Sequence, residues 1–257
     1  MDKLISELIL ELHFGSKTVS IPEFKGWALD TIQKAISFDS AIWVYGYIED
    51  KKFVSKDVYS YKQPAELYEL RHEYKEYSTL LNRMLIEPGI TLTRDMAFPN
   101  ENFKDFKIYK EYFSKYDMEH ALGTMKIRKD AGLCSHIAVY RCADQPAFNE
   151  NDRRNKEALL LHLIESYKYC LFNFCIDSRY IDSKKIGKII CDKNGMMIEA
   201  SDGVARQLQK LWPDWSGSQL PQEFVELSEG DDKKFGDLRV KVNAFDDLKG
   251  IELHPQN

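Results

Sequence analysis

The sequence predicts an α+β fold, with an antiparallel sheet flanked by helices over residues 1–178 and a smaller α+β domain over residues 179–257. Three observations predict it. Ala41 to Ile48 is rich in aromatic and β-branched residues, and a second run, Phe53 to Tyr59, follows it across the polar turn Glu49-Asp50-Lys51-Lys52, which is the pattern of a hairpin. Ala121 to Arg128 and Cys134 to Tyr140 form another adjacent pair around Lys129-Asp130-Ala131-Gly132. A long helix then begins near Asn149, and the sheet needs such an element to cover one face.

The first helix is expected from Asp2 to about His13, with Leu4, Ile5, Leu8, Ile9 and Leu12 on one face and Gly15-Ser16 as its end. A second follows Pro22, carries Trp27, Leu29, Ile32 and Ile36, and breaks at Phe38-Asp39-Ser40. After the hairpin, Pro64 opens a helix to about Leu85 with a stripe of Leu67, Leu70, Tyr74, Tyr77, Leu81 and Met84, stopped by Pro88-Gly89. Ile90 to Arg94 is a short strand, Phe98 to Asn102 a loop, and Phe103 to Tyr116 a shorter helix.

The helix from Asn149 organises what surrounds it. Asn149 can accept from the first free backbone amides, and Asp152, three residues on, completes a capping-box-like start. Leu160, Leu163, Tyr167, Cys170 and Phe174 then recur at alternating spacings of 3 and 4, and Leu159, Ile164 and Leu171 widen the stripe. A stripe wider than one sheet face needs points to a homodimer through this helix, joined by the N-terminal one.

Asp177 to Lys185 is a polar linker. Ile186 to Cys191 and Met196 to Glu199 flank Asn194-Gly195, a strong hairpin signal. Ser201 is expected to cap a helix from Asp202 to Trp212, and Pro221 to Leu227 forms a short one. Leu238 to Ala244 and Gly250 to His254 make a final strand pair, and the sequence shows no internal repeat.

Composition narrows the function. With 14 Tyr, 14 Phe and 4 Trp the chain can bury a core, so it is not a disordered segment. A net charge of −5 argues against a surface that grips nucleic acid broadly, which needs clustered Lys and Arg. No apolar run reaches the roughly 18 residues of a membrane span, and the N-terminus lacks a signal-peptide pattern. Five scattered cysteines, an odd count, fit reduced thiols in a cytoplasm. There is no phosphate loop, no nucleophile elbow and no zinc motif, so no catalytic residue, cofactor or metal is expected.

In this order, SFDSAIWVYGY, PGITLTRD with KIYKEYFSKYDMEHALGT, YRCADQPAFNENDRR with LLLHL, and IICDKNGMMIEAS with LWPDWSGSQLP resemble the sensory region of LuxR-type bacterial transcription regulators. The resemblance implies a GAF-like first domain and a PAS-like second one. It implies a small-molecule effector whose identity it does not give, no enzymatic activity, and contact with DNA only through a helix-turn-helix, which in that family would follow IELHPQN and is absent from this sequence. In a GAF-like domain the ligand lies between the sheet and the helices crossing one face. That points to Trp43, Tyr45 and Tyr47 on the first strand, which share a face, to Tyr109, Tyr112 and Tyr116 on the short helix, and to Met125 on the next strand. Arg94-Asp95 and His120 are the candidate polar anchors. Each aromatic can equally be plain core, and Arg94-Asp95 a surface ion pair.

Overall fold

The computed structural model describes residues 2–100, 102–129, 131–181 and 183–256. The chain forms two compact units, one of residues 1–14, 25–127 and 134–164 and the other of residues 15–24, 128–133 and 165–257. The expected boundary at 178/179 thus falls inside the second unit. The fold is α+β, with two antiparallel five-stranded sheets among the described residues.

The chain opens with α1 (Lys3–Thr18) and α2 (Ile21–Gln33). Gly15 does not end α1, because the Val19 amide still bonds the Gly15 carbonyl at 2.9 Å. One glycine costs a helix only about 1 kcal/mol, and Leu8 and Leu12 are buried at 2% and 0% exposure. The hairpin of β1 (Ser40–Glu49) and β2 (Lys52–Tyr61) forms as expected, with a register shift at Tyr45/Gly46. Asp50 and Lys51 both take positive φ in its two-residue turn, the geometry that matches strand twist.

The single helix expected over 64–85 is instead three pieces: α3 (Leu67–Leu70), a 3-10 turn (Arg71–Glu73) and α4 (Lys75–Ile86). Tyr74 is extended (φ −106°, ψ 126°) and breaks the spiral. The break leaves Leu70 39% exposed and Arg71 fully buried. Beyond β3 (Thr91–Thr93) and α5 (Arg94–Ala97), the helix expected at 103–116 is a 3-10 turn (Phe103–Asp105) and a π-helical turn (Tyr109–Phe113). There the Ser114 amide reaches back five residues to the Tyr109 carbonyl at 2.9 Å. The strands β4 (His120–Arg128) and β5 (Leu133–Arg141) complete a sheet ordered β2-β1-β5-β4-β3.

Strand alternation sorts this sheet into two faces. Ile42, Val44, Met125, Cys134, Ala138 and Tyr140 share one core with Tyr68, Tyr77, Met84, Tyr112 and Phe113. On the other face Lys156 of α6 (Glu150–Cys175) donates to Thr124 Oγ1 at 2.6 Å and the Ile137 carbonyl at 3.0 Å. The capping box at its start forms as read. Asn149 Oδ1 accepts from the amides of Asn151 (2.8 Å) and Asp152 (3.0 Å), and Asp152 Oδ2 accepts from the Asn149 amide at 2.9 Å.

In the second unit β6 (Gly187–Asp192) and β7 (Met197–Ala200) pair around the expected Asn194-Gly195 turn, where Gly195 has φ +78°. Two short helices, α7 (Val204–Leu211) and α8 (Gln222–Val225), precede β8 (Asp232–Phe235), β9 (Leu238–Phe245) and β10 (Leu248–Pro255). Ser201 does not cap α7. Its Oγ accepts the Lys188 amide at 2.9 Å, and Gly203 at φ +85° stands at the helix start. The unexpected β8 is short and charged, as edge strands often are. The sheet runs β7-β6-β10-β9-β8. Counted from its own first strand, each sheet has the order 2-1-5-4-3, so topology repeats where the sequence shows no repeat.

Candidate functional site

The core face of the first unit holds a cavity of about 20 Å³. That is room for little more than one water, which needs roughly 10–15 Å³. Its floor is the sheet, through Leu92, Gly123, His136, Ala138 and Tyr140. Its cover is Tyr77, Leu80 and Met84 of α4 with Phe103 and Phe113. Gly123 makes the space: a Cβ there would lie 2.4 Å from Met84 Cε and 3.8 Å from His136 Nε2.

Arg94 closes one side. Its guanidinium lies 4.4 Å from the Phe103 ring and 4.8 Å from the Phe113 ring, and donates to the carbonyls of Glu119 (2.5 Å) and Met118 (2.7 Å). Arg94, Phe103 and Ala121 also line an outer cleft of about 310 Å³, shared with Thr93, Asp95, Lys104 and His120. The same three residues therefore separate the inner space from the outer one.

His136 is the unusual group. It is 1% exposed, it lines the cavity, and neither ring nitrogen has a hydrogen-bond partner among the described residues. Leaving a buried polar group unmatched costs about 1–3 kcal/mol. Burial first, and then the charges of Lys156 and Arg71, pull its pKa down to about 3. Arg71 lies beneath the same wall. It donates from Nε to Tyr112 Oη at 2.6 Å, from Nη1 to Tyr140 Oη at 2.9 Å and from Nη2 to Gln63 Oε1 at 3.2 Å.

These shifts set a pH dependence. Unfolded histidine titrates near about pH 6.5, so the depressed His136 carries no protonation penalty above that pH and a growing one as pH falls towards 3. The sign is loss of stability on the acid side. His136→Leu is expected to remove about 2 kcal/mol of the loss between pH 7 and 4.5, read as urea midpoints of both proteins. An unchanged acid slope would mean that the ring is not buried neutral. Lys156 acts in a higher window. Burial lowers it to about 7, so its contribution to stability grows as pH rises from about 7 towards its unfolded value.

Of the residues singled out in the sequence, Arg94 lines the cavity. Tyr112 stands behind it as an Arg71 partner and donates its own hydroxyl hydrogen bond to the Leu67 carbonyl at 2.7 Å. Tyr109 donates to Glu119, Tyr116 is 42% exposed beside Tyr112, and Met125 is fully buried in the core around the cavity. Trp43, Tyr45 and Tyr47 are not with them. The alternation that brings Ile42 and Val44 to the cavity's core turns these three to the opposite face, where Lys25 lies 5.3 Å from the Tyr45 ring. His120 and Asp95 sit on the outer cleft. The sequence reading missed His136, Arg71, Tyr77 and Tyr140. A lone histidine in the apolar run Cys134 to Tyr140, on the parity of Ala138, was the available signal for His136.

The stripe on α6 is filled within one chain. Leu160, Leu163, Tyr167 and Cys170 are 3%, 1%, 5% and 0% exposed, and only Phe174, at 37%, reaches solvent. Among the described residues of the first unit the most exposed apolar side chains are Ile86 (76%) of α4, Phe14 (71%) and Leu10 (70%) of α1, and then Leu161 (48%) of α6. Among the described residues no cluster of three or more His, Cys, Asp or Glu could hold a metal ion, and no helix is long and apolar enough to cross a membrane.

No protein-family model matches the sequence, and no curated protein matches it. Solved structures similar to the chain include the ligand-binding domain of VqsR from Pseudomonas aeruginosa, 13% identical over 67% of this chain and 98% of that one, with a TM-score of 0.47. The N-acylhomoserine lactone dependent LuxR family factor CepR2 from Burkholderia cenocepacia is 10% identical over 63% of this chain and 93% of that one, with a TM-score of 0.44. SdiA from Escherichia coli is 12% identical over 71% of this chain and 64% of that one, with a TM-score of 0.39.

Proposed function

We propose that the chain is the sensory region of a LuxR-type transcription regulator, and that its first unit binds a small molecule, without catalysis, in the cavity under α4. The observation that carries this reading is His136, buried on the cavity wall with both ring nitrogens unmatched among the described residues. A native core rarely keeps such a group unless something completes it. The sequence resemblance supplies the rest of the proposal: a cytoplasmic protein in which occupancy biases the pairing of two protomers, and so the binding of DNA by a helix-turn-helix segment. Because the α6 stripe is already buried, the exposed Leu10, Phe14 and Leu161 are the surface assigned to that homodimer. The contact of His13 Nε2 with His162 Nδ1 at 3.2 Å sets their two helices side by side.

A second reading, a ligand-free dimerisation module, is favoured by the cavity's volume. About 20 Å³ is far below the roughly 300–1,000 Å³ of ordinary ligand sites. Native mass spectrometry of the protein purified from its host separates the two. The expected result is a dimer carrying a mass excess that His136→Leu abolishes. A protein without mass excess that no compound stabilises against heat would leave the module reading in place.

A further inference from the structure

If the first unit binds a ligand as proposed, the groups around its cavity also select the ligand's charge. Donors predominate on the cavity wall, although neutral His136 also presents one bare acceptor nitrogen. The Tyr140 hydroxyl, on the wall, already accepts from Arg71 Nη1 at 2.9 Å, so its own proton is the one left to give. Neutral His136 carries one N–H, and it meets no acceptor among the described residues. Arg94, a third lining group, is a cation whose hydrogen bonds go to backbone carbonyls.

Charge points the same way. Arg71 is fully buried, and its hydrogen bonds go to two phenols, one amide oxygen and, at 3.9 Å, the Met118 sulfur. None of these acceptors is ionised. Glu119, whose carbonyl Arg94 uses, gives its carboxylate to Lys104 at 2.5 Å and to Tyr109. Arg94 has the carboxylates of Glu119 and Asp95 as counter-charges, but cations taken out of water among un-ionised partners, as Arg71 is, are costly. The field they leave is felt at His136, which the charges of Arg71 and Lys156 help to keep unprotonated. A neutral carbonyl would satisfy the donors but not this field. An anion satisfies both.

We infer that the cavity takes a small organic carboxylate, its head against His136, Tyr140 and Arg94 and its apolar body towards Leu80, Met84 and Leu92. A carboxylate has only acceptor oxygens and binds charged donors in short, strong hydrogen bonds. The apolar part needs more than about 20 Å³, and the flexible Met84, which already fills the space over Gly123, is the side chain that yields.

The test uses the full chain at pH 7 and three probes of one shape: hexanoate, hexanamide and 1-hexanol, titrated by calorimetry, with butyrate and octanoate added to read chain length. Hexanoate is expected to bind at least tenfold more tightly than the amide or the alcohol. Arg94→Gln is expected to bring the acid to within threefold of the amide. Equal or tighter binding of the amide or alcohol would overturn the carboxylate assignment and leave the ligand-binding reading standing. So would a neutral compound in the native mass excess. If no probe of the series binds, the carboxylate assignment is overturned by that alone, and the mass spectrum of the purified protein decides whether the cavity binds anything else. The comparison among probes needs only the unmodified protein, so it stands even where a variant fails to fold.

Discussion

Arg71→Ala is expected to destabilise the first unit by about 3–5 kcal/mol, the range seen when a buried, hydrogen-bonded charged side chain is cut away or a large core side chain is truncated. Arg71 is 0% exposed, and its guanidinium carbon lies 5.2 Å from the rings of both Tyr112 and Tyr140. Truncation removes the donor that ties Tyr112, Tyr140 and Gln63 together and leaves a void beneath all three. Arg71→Met tells the two parts of this loss apart. Methionine keeps most of the volume and removes the desolvated charge, so its cost is expected to stay within about 2 kcal/mol. Urea midpoints of the two variants measure this directly. A loss below about 1 kcal/mol for Arg71→Ala would mean that the side chain is not packed among these rings. The ligand inference adds an independent reading of the same pair: Arg71→Met, folded, should lose preference for the acid over the amide, because it has lost a source of the positive field.

Gly250→Ala is expected to cost about 3 kcal/mol or more in the second unit, at the upper end of overpacking effects. A Cβ at Gly250 would lie 1.8 Å from the Cys175 carbonyl oxygen and 2.7 Å from its carbon. Those atoms are backbone, so no rotamer change relieves the clash. The strand cannot slide aside either, since Gly250 is paired with Ile190 on one side and Asn243 on the other. Gly217→Ala is the control. It has positive φ (+92°) but no neighbouring atom within 4 Å of the added Cβ, so only local strain of about 1–2 kcal/mol is expected. Thermal melts of the two variants should therefore differ by several degrees. Equal melting temperatures would show that β10 does not approach the end of α6 as described.

Both effects come from approaches between segments far apart in sequence, and this marks the limit of what the chain's local pattern reveals. The hairpin at Asn194-Gly195 and the cap at Asn149 were legible because each rests on residues within five positions of one another, where turn preference and capping act. The two breaks, at Tyr74 and within 103–116, were not. Helical spacing of Leu67, Tyr77, Leu81 and Met84 persists through the first break, so the pattern reads as one helix, yet the backbone turns there and Arg71 is drawn inward by partners 41 and 69 residues away. Propensity is a weak prior, and such contacts override it.

The site shows the same division. Arg94 could be nominated from the end of the expected strand Ile90 to Arg94, although it opens α5, and Tyr112 from the expected aromatic helix. Trp43, Tyr45 and Tyr47 were correctly placed on a common strand face, but alternation says only that they share a face, not which layer that face meets. Shifting the choice by one residue exchanges them for Ile42 and Val44. The α6 stripe had the same ambiguity: periodicity required a covering surface, and whether that surface lies in the same chain or a second one is a tertiary fact.

The sequence by itself determined the α+β class, the order of most elements, the two hairpins and the start of the long helix, because these follow from local periodicity, turn chemistry and capping. Only the tertiary structure decided which face of the first sheet holds the cavity, that His136 stands on its wall without a partner among the described residues, and that Arg71 is buried among phenols. A side chain's partners across the core depend on how the layers pack and not on its neighbours in the chain, so no local pattern carries that information.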